Sequence, residues 1–236
     1  MNILVTGASK GIGKVIAQNL AKIGNVYVTA RNQEALAKLD FIKGYFVCDL
    51  SDFENLKKLG DYIEENQIDV LVNNAGEYFY SDVENIKDDE LSHIIEVNLK
   101  APIYLTKRAV PYMKANNFGR IINIGSISGV MGEANACTYS ATKAGLIGLS
   151  KALALELAQH NITVNTINPG WVDTELGKDS IEESEFSTEE IIECIPQRRF
   201  VEPIEIAKTV EYLISDGAKG ITGQSINICA GLSIGI

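Results

Sequence analysis

A chain of 236 residues, 46% of them hydrophobic, can bury a sizeable core, and α/β domains often reach about 200–250 residues as one unit, so residues 1–236 read as a single domain. A formal charge of −10 makes a surface that repels nucleic acid and anionic membranes at long range, which excludes both as general partners. Cys48, Cys137, Cys194 and Cys229 are too scattered for a zinc site or a small disulfide framework, so no metal is expected.

Met1 leads at once into a short apolar run, with no basic leader and no apolar stretch long enough to span a bilayer, which predicts a cytoplasmic protein with reduced thiols. Runs rich in β-branched residues at 3–6, 26–30, 45–48, 70–72, 121–124, 163–167 and 225–228 predict seven strands. Helical patterns alternate with them, starting near Gly11 and just after Arg31 and then covering 53–65, 88–116, 138–159 and 203–214, with Pro102 breaking the fourth into two pieces. Such alternation is the signature of a parallel sheet covered by helices on both faces, whose ligands bind at the carboxyl ends of the strands. The segment at about 171–200, acidic from Glu182 to Glu190, fits no element and is read as a mobile lid.

Thr6-Gly7-Ala8-Ser9-Lys10-Gly11-Ile12-Gly13 follows the first strand and opens the first helix, the setting in which a glycine pattern becomes informative. Gly7 suits a tight turn, Gly11 a close approach of backbone to a pyrophosphate, and Gly13 close packing of helix on sheet. The helix N-terminus would then face the phosphates; an ordinary strand-to-helix turn is the plainer alternative. NAD-specific sites place an acid at the end of the second strand, but here that place reads Thr29-Ala30-Arg31-Asn32. With no acid to repel a 2′-phosphate, and with Lys10 and Arg31 able to neutralise one, NADP(H) is expected over NAD(H); the alternative is that both cations are merely solvated.

The glycine pattern is joined, in order, by Asn73-Asn74-Ala75-Gly76, by Tyr139-x-x-x-Lys143, by Asn168-Pro169-Gly170 with Thr174, and by the Ile221-Thr222-Gly223-Gln224 turn. Over nearly the whole chain this resembles the short-chain dehydrogenase/reductase family, and within it the 3-oxoacyl-acyl-carrier-protein reductases. The resemblance implies a doubly wound Rossmann-type α/β fold, a seven-stranded parallel sheet, and a homotetramer or homodimer. It implies Asp49 and Leu50 at the adenine, Asn74, Ala75 and Gly76 along the cofactor cleft, Pro169 and Gly170 at the nicotinamide, and Thr174 at its carboxamide. Asp49 could instead cap the helix near Ser51, and Pro169-Gly170 could be a turn only.

Tyr139 and Lys143 stand four apart in a helical segment, so both project from one face about a turn apart. A lysine ammonium about 4 Å from the phenol, at an effective dielectric near 20, is worth roughly 4 kcal/mol, enough to lower the tyrosine pKa by about three units, with burial opposing. A snorkelling lysine beside a half-buried aromatic is the plainer alternative. The resemblance assigns Ser126 to hold the substrate oxygen, with Ser128 a nearby substitute, Lys143 to the nicotinamide ribose, and Asn98 to a water in a proton relay. Neither His93 nor His160 falls in a motif, so both read as helix-surface residues.

The implied activity is NADPH-dependent reduction of a carbonyl, with a 3-oxoacyl thioester as substrate; another small ketone, alcohol or polyol, or a catalytically idle dinucleotide-binding regulator, are the alternatives. Acyl-carrier protein as a partner is weakened, because Asn117 and His160 stand where the family's docking arginines align, leaving Lys114, Arg120, Arg198 and Arg199 as substitutes. Two further departures are a short stretch from Arg31 to Asp49 and a tail reading Cys229-Ala230-Gly231-Leu232, whose apolar Leu232, Ile234 and Ile236 would suit burial at a subunit contact.

Overall fold

The computed structural model describes residues 1–183 and 187–234, with backbone alone at 178, 179, 182 and 183. Residues 184–186 of the acidic stretch, and Ile236 of the tail, lie outside the described residues. Seven strands, β1 (Asn2–Thr6), β2 (Asn25–Ala30), β3 (Gly44–Val47), β4 (Val70–Asn73), β5 (Gly119–Ile124), β6 (Ile162–Pro169) and β7 (Ser225–Ile228), form one sheet in the order β3-β2-β1-β4-β5-β6-β7. Every pairing is parallel.

Successive strand residues feed opposite faces, as a period of two requires. Ile3 and Val5 pack with α1 (Gly11–Leu20) and α10 (Pro203–Ile214), through Ile16, Leu20, Val210 and Leu213, while Leu4 between them joins the other layer. That layer is α3 (Phe53–Glu65), α5 (Ala101–Ala115) and α7 (Cys137–Leu157), which contribute Leu56, Leu59, Leu105, Met113 and Leu157. Each such side chain, fully withdrawn from water, contributes about 1.5–3 kcal/mol, so two apolar layers on one sheet account for its flanking helices. Local signals fix the helix starts: Asp52 accepts the Glu54 and Asn55 amides at the head of α3, and Pro203 opens α10.

The expected break at Pro102 takes a particular form. α4 (Asp88–Ile95) runs into a π-helical turn at Glu96–Lys100 before α5 begins. Pro102 has no N–H to return to the Asn98 carbonyl four residues back, so the ladder must widen there. The second helix, α2 (Gln33–Ala37), is short, and α6 (Ser128–Met131) has no counterpart in the sequence reading.

The segment after β6 corrects the expectation of an element-free lid. It holds α8 (Glu175–Glu183) and α9 (Thr188–Cys194), and Val172 bridges to Val201 to close its base. Ile181, Ile191 and Ile195 pack with Trp171, Phe200 and Leu232 into a small cluster of their own. Leu232 of the tail therefore packs on this segment, whereas Ile234 is 80% exposed. Among the described residues, no helix is long and apolar enough to cross a membrane.

Candidate active site

The strand order turns back between β1 and β4, and a crevice opens there beyond their carboxyl ends. Thr6 ties the two strand ends together: its hydroxyl accepts the amides of Asn74 and Ala75, both at 3.0 Å, while the Asn74 side chain donates to the Thr6 carbonyl at 2.8 Å. Gly13 packs where a Cβ would stand 2.4 Å from the Gly7 carbonyl oxygen, so the helix reaches the sheet only without a side chain there. At Gly11, φ is +55° and a Cβ would meet only the Thr174 side chain, at 3.8 Å. That glycine opens onto a cavity of about 1260 Å³, larger than the 300–1,000 Å³ of an ordinary ligand pocket.

Lys10, the residue preceding α1, makes no side-chain cap, so the first amides of that helix are left for a ligand. An uncapped helix start, a glycine cradle and a cleft of this size fit a dinucleotide. Gly7, Ser9, Lys10, Gly11, Ile12, Gly13, Arg31, Asp49, Leu50, Asn74, Ala75, Gly76, Pro169, Gly170 and Thr174 all line the one cavity, together with Ser126, Tyr139 and Lys143. Neither cation is simply solvated: Lys10 pairs with Glu175 at 2.8 Å, and Arg31 with Glu77 at 2.8 Å. Asp49 accepts the Ser51 amide and hydroxyl, at 3.0 and 2.7 Å, while Asp52 caps α3. Burial opposes ionisation of Asp49, but the Ser51 hydrogen bonds and the Arg31 charge outweigh it and hold the carboxyl below its usual range.

Tyr139 and Lys143 sit one turn apart on α7, and Ser126 arrives from the loop beyond β5. The Lys143 amine donates to the Ile124 carbonyl at 2.9 Å and lies 5.6 Å from the centre of the Tyr139 ring. Only 3% of Lys143 is exposed, and burial pushes its pKa down to about 8. Tyr139 moves the other way, pushed up to about 12: burial dominates, the Ser126 hydroxyl favours the ionised phenol, and the Glu133 charge opposes it. This corrects the expected lysine-driven lowering. The ammonium is itself desolvated and turned towards a backbone carbonyl, over the ring, so burial of the phenol wins.

Asn98 lies in the π-helical turn and is fully buried. Its carboxamide is committed to Glu77 and Thr142. His93 is not a plain surface residue: its Nε2 is 2.6 Å from the second oxygen of Glu77, so Glu77 joins His93 to Arg31. Arg120 is withdrawn from any docking role, being 1% exposed and donating to the carbonyls of Gly119 and Asn161. Arg199 forms a bidentate pair with Glu205.

Two residues of the cleft carry no motif. Glu133 accepts from the Tyr78 hydroxyl at 2.8 Å and from the Ser128 hydroxyl at 2.6 Å, and Ser128 in turn lies 3.1 Å from the Ser126 hydroxyl. Tyr78 packs edge-on against Tyr139, ring centres 5.0 Å apart. No motif or spacing in the sequence marks either residue, because Tyr78 and Glu133 lie 55 positions apart and meet only on folding.

A family model described as enoyl-(acyl-carrier-protein) reductase matches residues 7–233. A 3-oxoacyl-[acyl-carrier-protein] reductase of Rickettsia conorii is 38% identical over 234 residues, covering 97% of this chain and 95% of its own. The corresponding reductase of Staphylococcus epidermidis is 39% identical over 241 residues, with 97% of each chain covered. Among solved structures, a variant of actinorhodin polyketide ketoreductase with NADPH superposes with a TM-score of 0.93 at 36% identity, covering 99% of this chain and 97% of its own. An NADPH-dependent reductase involved in bacilysin biosynthesis also gives 0.93, at 32% identity, covering 100% and 99%. A family model that spans nearly every residue, with relatives this similar along their whole length, shows that the chain belongs to the short-chain dehydrogenase/reductase family.

Proposed function

We propose that this chain is a single catalytic domain with a lid at 171–200, and that it reduces the keto group of a 3-oxoacyl thioester with NADPH. The carrying observation is the convergence of the Ser126 hydroxyl, the Tyr139 phenol and the buried Lys143 amine in one dinucleotide-sized cleft. Relatives whose names specify 3-oxoacyl-carrier and ketoacyl substrates, and solved neighbours described with NADPH, support the choice of substrate and cofactor.

In this reading the residues from Gly7 to Gly13 cradle the pyrophosphate, Lys10 and Arg31 take the 2′-phosphate, and Asp49 and Leu50 flank the adenine. Asn74, Ala75 and Gly76 line the middle of the cleft, while Pro169, Gly170 and Thr174 shape its nicotinamide end. Bound NADPH supplies a hydride to the carbonyl carbon. Ser126 and Tyr139 donate hydrogen bonds to the carbonyl oxygen, where negative charge grows as the reaction proceeds. Tyr139 then delivers its proton to that oxygen. A phenol held up at about 12 keeps its proton at neutral pH, which suits an acid in the reductive direction. Lys143 holds the ribose and keeps positive charge near the phenol. Asn98 fixes the loop beside it, and its backbone carbonyl, to which Pro102 has no N–H to donate, would hold a relay water.

The thioester is recognised by its acyl and thioester groups more than by a carrier, because Arg120 is buried, Arg199 is paired with Glu205, Lys114 faces Glu156 and Arg198 donates to the Glu193 carbonyl. Ile103 on α5 and Leu155 on α7, 45% and 87% exposed, are the apolar groups that a homodimer or homotetramer would cover. A panel of carbonyl compounds followed with NADPH and with NADH, including acetoacetyl-CoA and carrier-bound thioesters, tests the reading. The expected result is NADPH-driven reduction of acetoacetyl-CoA; NADPH binding without turnover anywhere on the panel would make the chain an idle dinucleotide binder.

A further inference from the structure

In the nucleotide half of the cleft each carboxylate has a cationic neighbour, Lys10 beside Glu175 and Arg31 beside Glu77 and near Asp49, whereas Glu133 borders the substrate half and Glu190 and Glu193 line the cavity from the lid. Glu133 stands nearest the chemistry, two hydrogen bonds from Ser126 by way of Ser128. Tyr78 and Ser128 pin its carboxylate from two sides, so it cannot swing away. Both partners are neutral hydroxyls, and among the described residues no lysine, arginine or histidine nitrogen lies within 4.0 Å of it. Its charge therefore acts on whatever occupies the cleft. The hydrogen-bonded path through Ser128 and the edge-on contact of Tyr78 with Tyr139 bring it close to the reacting groups, and its charge, after burial, helps to hold the Tyr139 phenol up.

From this geometry we infer that Glu133 is a specificity-determining residue that excludes substrates carrying a free carboxylate beside the reacting carbonyl: the cleft accepts 3-oxo esters and thioesters, whose acyl end is uncharged, and rejects free 3-oxo acids. The inference rests on the carbonyl-reductase reading above and adds a substrate class to it. A 3-oxo acid aligned on Ser126 and Tyr139 would bring its carboxylate into the half of the cleft that Glu133 borders, where one serine hydroxyl separates Glu133 from Ser126. Two like charges in a cleft of reduced dielectric repel strongly, whereas an ester of the same shape meets no such barrier. Glu133 can also accept a hydrogen bond from a hydroxyl or amide donor on the substrate chain, because two hydrogen bonds leave a carboxylate with spare acceptor sites. The overall charge of −10 acts on both variants almost equally, so one substitution isolates the local effect.

The test compares kcat/KM with NADPH for two matched pairs, ethyl acetoacetate against acetoacetate and methyl 4-formylbenzoate against 4-carboxybenzaldehyde, in the wild type, in Glu133→Gln and in Tyr78→Phe. The wild type should favour the neutral member of each pair by at least about tenfold, about 1.4 kcal/mol. Glu133→Gln should narrow that ratio by about tenfold, with the larger change at low ionic strength. Tyr78→Phe retains the charge and should leave the ratio within about twofold. An active Glu133→Gln enzyme that discriminates as the wild type does overturns the inference. If the benzaldehyde pair obeys the rule while the acetoacetate pair is inert, the 3-oxo reading fails and charge exclusion stands. Inactivity of the wild type on all four compounds overturns the inference, whereas the carbonyl-reductase reading is overturned only if acetoacetyl-CoA is inert as well.

Discussion

Asn98 and Glu77 grip one another along the backbone: the Asn98 carboxamide oxygen accepts the Glu77 amide at 2.8 Å, and its nitrogen donates to the Glu77 carbonyl at 2.8 Å. One side chain thus supplies both halves of a strand-like pairing to the residue that follows Asn74-Ala75-Gly76. Because the Glu77 carboxylate holds Arg31 and His93, the grip also sets where a candidate phosphate-binding cation sits.

Asn98→Ala should leave a partly buried amide and carbonyl without partners, at a cost of about 1–3 kcal/mol. In a chain of this size each kcal/mol lowers Tm by about 2–4 °C. Thermal unfolding checks the figure, and an unchanged Tm would show that the loop is held elsewhere.

Lys143 should make the fold less stable in return for its place at the site. Its folded-state pKa of about 8 lies below the ordinary lysine value of 10.5, so burial penalises the protonated form. Below about pH 8 both folded and unfolded chains hold the proton, and the penalty is at full strength. Between about 8 and 10.5 the folded chain loses the proton first and the unfolded chain binds more, so stability rises with pH. Cys48 above about pH 9, and Tyr139 and Tyr62 above pH 10, all pushed up to about 12, work in the opposite sense, which leaves about pH 8–9 as the clean window in the wild type, while the comparison with Lys143→Met cancels their effect. Lys143→Met should therefore be more stable than the wild type at pH 7 by about 1–3 kcal/mol, at about 1.36 kcal/mol per unit less the lost bond to Ile124. Denaturant titrations should show the two proteins converging by pH 10, and a gap independent of pH would contradict the burial argument.

Arg31→Ala should raise the KM for NADPH by about tenfold or more, since a charge-assisted hydrogen bond is worth about 1.5–3 kcal/mol, and leave the KM for NADH within about twofold. Glu77→Gln should act in the opposite direction, because it releases Arg31 from a competing carboxylate. Steady-state kinetics with both cofactors separate these outcomes; equal losses with NADPH and NADH would place Arg31 away from the 2′-phosphate.

The strands were legible because their β-branched runs are short and bounded by turn residues, even where, as in β5 and β6, every position is buried and no alternation remains. The helices within 171–200 were not legible for want of length: α9 has 7 residues, and its one clear signal is a capping box from Ser187 to Glu190. The spacing of Tyr139 and Lys143 is local, so sequence alone placed them together. Their protonation was not legible, because it depends on how deeply the fold buries each group and on Lys143 reaching Ile124, 19 residues away. The pairs Lys10–Glu175 and Arg31–Glu77 likewise arise from folding across the cleft, and no periodicity encodes them.

The most direct test of the account is turnover of acetoacetyl-CoA by Tyr139→Phe, measured alongside NADPH affinity by fluorescence titration. Removing a general acid should lower kcat by about 10²–10⁴-fold, while the dissociation constant for NADPH stays within about threefold because the ring and its packing remain. Turnover near the wild-type rate would contradict the assignment of the proton to Tyr139, and with it the proposed chemistry of the cleft.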